Sequence, residues 1–339
     1  MRWRRTLGVV VTVLVVAATL VTIRLWPREA LAEKIASSTA IFDRQGRLLR
    51  LTLASDHQYR LWTPIEDISP ELVEALLLHE DQHFYWHPGF NVASLARATV
   101  SSYSGGPRVG GSTITMQLAR LMYGLNTRSV SGKLQQIFRA IQLELCYSKH
   151  DLLEAHLNLM PYGGNIQGVG AASLIYFDKS AKRLGLSESL TLVLIPQSPA
   201  RRAPELEEPA DLRAARLRLF ARWVEQHPDA ASSADYIATP LRYASLRDLP
   251  FAAPHFTNAI LQRPRPASLH SVNTTLDLRA QRTLERVITT YVREHSHIGM
   301  HNAAAMLVDY RDLSVKAMTG SADFFAADIE GQVNGTLAK

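Results

Sequence analysis

The sequence predicts a mainly α fold: a membrane helix at the N-terminus, a helical domain behind it, and the opening strands of a second unit. Three observations carry this. Leu7 to Ile23 runs seventeen residues without a charge. From Ser69 to about His227, apolar residues recur mostly at helical spacing, with capping residues before the runs. After Pro228, prolines and short segments take over, and strand-like runs begin near Val272.

Length and composition agree. The 339 residues allow two folded units at roughly 100–200 residues each. With 47% hydrophobic and 20% charged residues, the chain is globular rather than disordered. A net charge of +6 suits a partner that carries phosphates. No basic block with interleaved aromatics is present, which argues against nucleic acid. Cys146 is the only cysteine, so an internal disulfide and a cysteine-built metal cluster are both excluded. It reads as an inert core residue.

Taken in order, the elements begin with the apolar run, which is at the short end of a membrane span. Arg2, Arg4 and Arg5 precede it, which puts residues 1–6 in the cytoplasm and everything after Arg24 outside. Residues 7–25 are therefore read as an uncleaved anchor. A cleaved signal peptide competes, because Ala30-Leu31-Ala32 has the form of a cleavage site; the intervening Arg24, Pro27, Arg28 and Glu29 count against it. Either way the body lies outside the cytoplasm. Residues 40–50 read as two short strands around a turn at Gln45-Gly46. Ser69 and Pro70 open a helix that ends near Glu80. Asn91 caps another through Leu95 to Val100, and Ser101 to Gly111 reads as a mobile loop. Ser148 and Asp151 form a capping box for a helix towards Asn158. Ser187 is expected to cap Leu190 to Ile195, and Ala210 to Gln226 is a long amphipathic helix. Residues 228–270 read as a linker. Ala303–Asp309 and Ser314–Gly320 form a hairpin turning at Arg311-Asp312.

Two segments carry chemistry. The first runs from Glu80 and Asp81 through His83, Phe84, Tyr85 and Trp86 to His87 and Gly89. A carboxylate at a helix end beside aromatic rings suits a general acid or base. A polar helix terminus with His87 packed in place is the bland alternative. Metal binding by His83 and His87 is weaker, since Pro88-Gly89 breaks the helical context. The second segment, Gly110 to Arg120, is a glycine-hinged loop entering a helix. Its N–H groups and the Ser112 and Thr113 hydroxyls could hold a phosphate oxygen, or simply cap the helix.

Together, four segments resemble a known family in order and spacing. They are Glu80-Asp81-x-x-Phe84-x-x-His87-x-Gly89; Gly110-Gly111-Ser112-Thr113-Ile114-Thr115-x-Gln117-Leu118-Ala119; Lys133 with Ala140 to Glu144; and His156-Leu157-Asn158 with Gly163. The family is the peptidoglycan glycosyltransferases of family 51, the glycan-polymerising domains of class A penicillin-binding proteins. The resemblance is strong over residues 38–200 and weaker beyond. It implies a division of the chain into an anchor at 7–25, a lysozyme-like glycosyltransferase domain at 38–227, a linker at 228–270, and the first strands of an incomplete α/β transpeptidase domain at 271–339.

The resemblance implies a groove facing the membrane, with lipid II and undecaprenyl-linked glycan as substrates, on the periplasmic side of the bacterial cytoplasmic membrane. Other wall-synthesis proteins are conceivable partners. Glu80 matches the general base, and Lys133 the lysine that contacts phosphate, with Arg120 and Arg139 in support. Ser112, Thr113 and Gln117 match donor-site contacts. Asp81, Phe84, His87 and Asn158 match residues that shape the groove and hold Glu80. Gly132 stands where most members have arginine, and Gln136 where most carry a second catalytic glutamate. Gln136 cannot carry charge but could orient Lys133. A divalent cation at the pyrophosphate is the one cofactor left open, and it would lack that carboxylate. Two functions follow: an active polymerase, or a weakly active or inactive lipid II-binding scaffold.

No serine in the chain has lysine three residues later, so the Ser-x-x-Lys nucleophile of penicillin-sensitive transpeptidases is not in this sequence. The chain is therefore expected to lack transpeptidase activity, to be truncated, and to pack poorly after about residue 270.

Overall fold

The computed structural model describes residues 21–91, 112–127, 129–204, 207–264 and 269–338, together with Val15, Ala18 and Pro266. Most of the expected anchor lies outside these residues. Residues 21–25 are helical, and among the described residues no helix is long and apolar enough to cross a membrane. The helix expected from Leu95 to Val100 and the loop from Ser101 to Gly111 also fall outside them.

The chain divides into two compact units, residues 1–35 with 62–244 and residues 36–61 with 245–339. The expected boundaries at 38 and 227 shift accordingly. The early hairpin belongs with the late strands because its first strand pairs with one of them. Residues 228–244 stay with the helical unit, where the Ala244 N–H donates to the Tyr176 carbonyl at 2.9 Å. The expected linker is thus largely structured.

In the helical unit, α1 spans Pro70–Glu80 and buries Leu72, Ala75, Leu76 and Leu78. Pro70 starts it as expected, but the Ser69 hydroxyl donates to Glu71 rather than capping the backbone. Helix α2, Ile114–Tyr123, is capped by the Thr113 hydroxyl and stopped by Gly124 in the left-handed conformation. Helix α3, Val130–Cys146, starts with Ser129 accepting from the Gly132 N–H. Gly132 sits close to the chain before it: a Cβ there would lie 1.9 Å from the Asn126 carbonyl oxygen. Cys146, expected in the core, is partly exposed at the end of α3. Helix α4, Lys149–Leu159, opens with the expected Ser148–Asp151 box.

A small hairpin of β3 (Pro161–Gly163) and β4 (Ile166–Gln167) leads to α5, Val169–Phe177. Val169 to Tyr176 are all buried, as befits a helix apolar on every side. Helix α6, Leu186–Leu194, is boxed by Gly185 and Glu188. Ser187 lies inside its first turn, so the cap expected there is displaced by the shorter reach of Glu188 to the Gly185 N–H, 2.9 Å. Helices α7 (Pro199–Arg202), α8 (Ala210–Gln226) and α9 (Ala234–Ala238) complete the unit. Arg216 of α8 is fully buried and pairs with Glu208, which also accepts from the Tyr243 hydroxyl at 2.8 Å. Arg216 also donates to the Thr239 carbonyl at 2.9 Å, so its charge is both paired and hydrogen-bonded.

In the second unit, β1 (Ala40–Phe42) pairs antiparallel with β2 (Leu48–Leu51) and parallel with β5 (Ser271–Asn273). Gly46 makes the turn between β1 and β2 at φ +76°. Helix α10 spans Pro254–Gln262, and α11 spans Leu278–His295. Strands β6 (Ala305–Val308) and β7 (Val315–Thr319) form the expected hairpin. Ile41, Leu49, Ala253, Phe256, Leu276, Leu278 and Met318 make one core. After residue 270, Leu276, Leu278 and Met318 join this core with Ile41 and Leu49 of the early hairpin, whereas Ile298, Tyr310, Leu313, Phe325, Val333 and Leu337 are exposed. Met306, Leu307 and Val308 of β6 are exposed too.

Candidate active site

The site is built at the junction of α1 and α2. Glu80 is the last residue of α1, and its carboxylate is held from two sides by amides. Gln117 Nε2 of α2 donates to Glu80 Oε2 at 2.8 Å, and Gln197 Nε2 donates to Oε1 at 2.9 Å. The Glu80 side chain is 15% exposed, so the group is fixed yet still reachable. Two neutral donors orient a carboxylate without supplying a cation to neutralise it.

Asp81 follows at the C-cap and ties the two helices together. Its carboxylate accepts from His87 Nε2 at 2.9 Å and from the Ile114 N–H at 3.0 Å. That places a negative charge at the N-terminus of α2, where the helix dipole favours it. His87 Nδ1 accepts from the Gly89 N–H at 3.2 Å, so the ring is the tautomer with its proton on Nε2. The Thr113 hydroxyl donates to the Gly89 carbonyl at 2.6 Å and accepts from the Met116 N–H at 3.2 Å. Gly89 is required by contact as well as by its φ of +91°: a Cβ would meet Glu144 Cγ at 2.8 Å. Phe84 is fully buried, with the Lys149 ammonium 4.4 Å above its ring. Lys149 also donates to the His87 carbonyl and to Glu144. Asp81, Phe84, His87 and Thr113 thus form the frame under Glu80, each engaged inside the protein.

Lys133 lies on the other side of the start of α2. Its Nζ donates to Ser112 Oγ at 2.7 Å and to Gln136 Oε1 at 3.0 Å. Partial burial, and then the Arg120 guanidinium, hold its pKa below the usual lysine value. Gln136 is buried, and its Nε2 donates to the Met116 carbonyl at 2.6 Å. The first turn of α2 therefore carries both halves, with Gln117 on Glu80 and Met116 on Gln136. Arg120 is exposed one turn further along. Arg139 stacks on Tyr123 at 4.8 Å and donates to Gln142 Oε1 at 2.7 Å.

Asn158 is not with these groups in its contacts. It is fully buried, accepting from the Thr63 N–H and donating to the Thr63 and Glu154 carbonyls. It pins the entering chain to α4.

Two residues beside Glu80 were not assigned roles from sequence. Gln197 follows α6, and only folding brings it to Glu80. His156 of α4 is fully buried, and burial pushes its pKa down to about 4 while Glu80 pulls the other way. Neither ring nitrogen has a hydrogen-bond partner among the described residues. A divalent cation does not fit beside Lys133. The side chain that could have offered a carboxylate is the neutral Gln136, and its oxygen is taken by the ammonium. Among the described residues no cluster of His, Cys, Asp and Glu could hold a metal ion.

The transglycosylase family model matches residues 45–223 of the chain. Penicillin-binding protein 1C of Escherichia coli (strain K12) is 33% identical over 302 residues, which is 88% of this chain and 38% of that protein. Penicillin-binding protein 2D of Bacillus subtilis (strain 168) is 32% identical over 306 residues, 86% of this chain and 43% of that protein. The chain thus spans about two fifths of the length of these relatives. Among solved structures, penicillin-binding protein 1A from Haemophilus influenzae aligns with a TM-score of 0.34 and 16% identity, over 82% of this chain and 32% of that chain.

Proposed function

This chain belongs to the transglycosylase family, and from that premise we propose that it is a peptidoglycan glycosyltransferase that polymerises lipid II into glycan strands. The observation that carries the proposal is the pairing across the first turn of α2. A carboxylate fixed by two amides stands on one side, and a partly buried lysine tuned by an arginine on the other.

In this reading Glu80 takes the proton from the acceptor sugar hydroxyl. The oxygen attacks the anomeric carbon of the donor with inversion, and the bond to undecaprenyl pyrophosphate breaks. A placed general base contributes about 10²–10⁴-fold. Lys133, with Arg120, stabilises the charge that builds on the departing pyrophosphate. Its partly buried ammonium, set beside the Arg120 guanidinium, suits that task. Ser112 holds Lys133 and is released to the phosphate when the ammonium turns. Gln117 contacts Glu80, so substrate binding at Gln117 is felt directly by the base.

A membrane location on the outer face of the cytoplasmic membrane belongs to the same proposal. Val130, Leu134 and Phe138 recur every four residues along α3 and are all exposed. Lys133 lies beside that apolar stripe, which suits a lysine working at a lipid pyrophosphate.

A lipid II-binding scaffold is the second reading, favoured by one residue, Gln136, which offers no charge where the resemblance expects a glutamate. Purified protein given lipid II separates the two: glycan polymer lost in Glu80→Gln supports the enzyme, and binding without polymer supports the scaffold. We also infer that this chain has no penicillin-sensitive nucleophile, since it contains no Ser-x-x-Lys.

A further inference from the structure

Beside Gln197 the helical unit holds a half-open cavity of about 280 Å³. Its polar lining is Gln197, which follows α6, with His79 of α1, Arg202 of α7 and Arg218 and Arg222 of α8; Leu194 and Leu219 add apolar surface.

Two of the three arginines have structural work. Arg202 donates to the Leu194 carbonyl at 2.8 Å and to Gln197 Oε1 at 3.0 Å. Arg222 donates to the Leu78 carbonyl. These contacts satisfy carbonyls in the last turns of α6 and α1, where cations are favoured. They do not use all the donors. Arg202 Nε and His79 Nδ1 are buried without a hydrogen-bond partner among the described residues. Arg218 has no hydrogen bond or ion pair there at all. Among the described residues the one carboxylate paired with these guanidiniums is Asp211, 3.8 Å from Arg202 Nε and shared with Arg201 at 3.5 Å. A concave site with this charge excess and unused planar donors matches the bidentate geometry of a phosphate oxyanion.

We propose that this cavity is a second anion site, taking a phosphate group, either free or as the headgroup of a lipid. It is separate from the Lys133 side of α2 and stands whether or not the chain polymerises lipid II. Its rear wall, however, is shared with the base: Gln197 Nε2 lies 2.6 Å from His79 Nε2 and 2.9 Å from Glu80 Oε1. Burial first, and then the Arg222 and Arg202 guanidiniums, hold the His79 pKa below its ordinary value, against the opposite pull of Glu80 and of the Gln197 contact. An anion that neutralises the two arginines therefore raises the His79 pKa, which makes the ring a local reporter of occupancy.

The test uses the full chain in detergent, titrated with inorganic phosphate and followed by calorimetry and by the NMR signals of the His79 ring. Saturable binding is expected, with an upward shift of the His79 pKa. Arg218→Gln, which breaks no hydrogen bond or ion pair among the described residues, is expected to weaken binding about tenfold, as for loss of one charge-assisted pair. Arg218→Lys should recover part of it. Flotation with phosphatidic acid vesicles against phosphatidylcholine vesicles assigns the source. Retention on phosphatidic acid that Arg218→Gln loses marks a lipid headgroup; phosphate binding without such retention marks a free anion. Absence of saturable binding, or equal binding by wild type and Arg218→Gln with His79 unmoved, overturns the site.

Discussion

Gln136 accepts a hydrogen bond from Lys133 at 3.0 Å, one helical turn away, and passes the contact on by donating to the Met116 carbonyl at 2.6 Å. A buried amide thus does in this chain what a carboxylate could do only in part. Gln136→Glu keeps the contact to Lys133 but removes the side-chain donor to the Met116 carbonyl and sets a carboxylate oxygen against it. A loss of about 1–3 kcal/mol in unfolding free energy is expected, measured by chemical denaturation. A stability equal to wild type would show that the Met116 contact is dispensable.

Glu80→Gln should lower lipid II polymerisation by about 10²–10⁴-fold, since only the proton acceptor is lost. The new amide can still accept from Gln117 or Gln197, so lipid II binding and the thermal midpoint should change little. Turnover like that of wild type in a gel-based polymerisation assay would remove Glu80 from the mechanism.

Asp81→Asn should act through structure. It weakens the contacts to His87 and to the Ile114 N–H, both buried, at a cost of roughly 1–3 kcal/mol. Because Gln117 follows from the same helix start, polymerisation should fall with stability. An inactive variant of unchanged stability would instead put Asp81 in the chemistry.

His156 predicts a pH dependence. Its folded-state pKa of about 4 lies below its ordinary value of 6.5. Between those values the unfolded chain binds a proton that the folded chain refuses, so stability is full above about pH 6.5 and falls as the pH drops towards 4. His156→Phe removes both the proton site and two buried polar atoms. Urea midpoints measured from pH 4 to pH 7 should show a shallower acid slope in the variant; identical slopes would assign the acid loss elsewhere.

The parts of this architecture legible in the sequence are those set by neighbours in the chain. The Ser148–Asp151 box, the Gln45-Gly46 turn and the bounds of α8 each follow from a few adjacent residues. Helix α11 carried such a signal too. Asp277 caps it through the Arg279 and Ala280 N–H groups, yet its apolar residues are diluted by Arg279, Arg282, Arg286 and Arg293, and it follows a proline-rich stretch. What could not be read is what folding alone brings together. Gln197 reaches Glu80 from 117 residues away. Nothing within α8 marks Arg216, rather than Arg213 or Arg218, as the arginine that is buried on Glu208.

The close approach at Gly132 has a consequence for substitution. The arginine that the resemblance puts at this position has no room here, because any Cβ would collide with the Asn126 backbone at 1.9 Å. A side chain at residue 132 therefore needs the backbone at Asn126 to move, so the identity of this residue and the path of the segment before α3 are coupled.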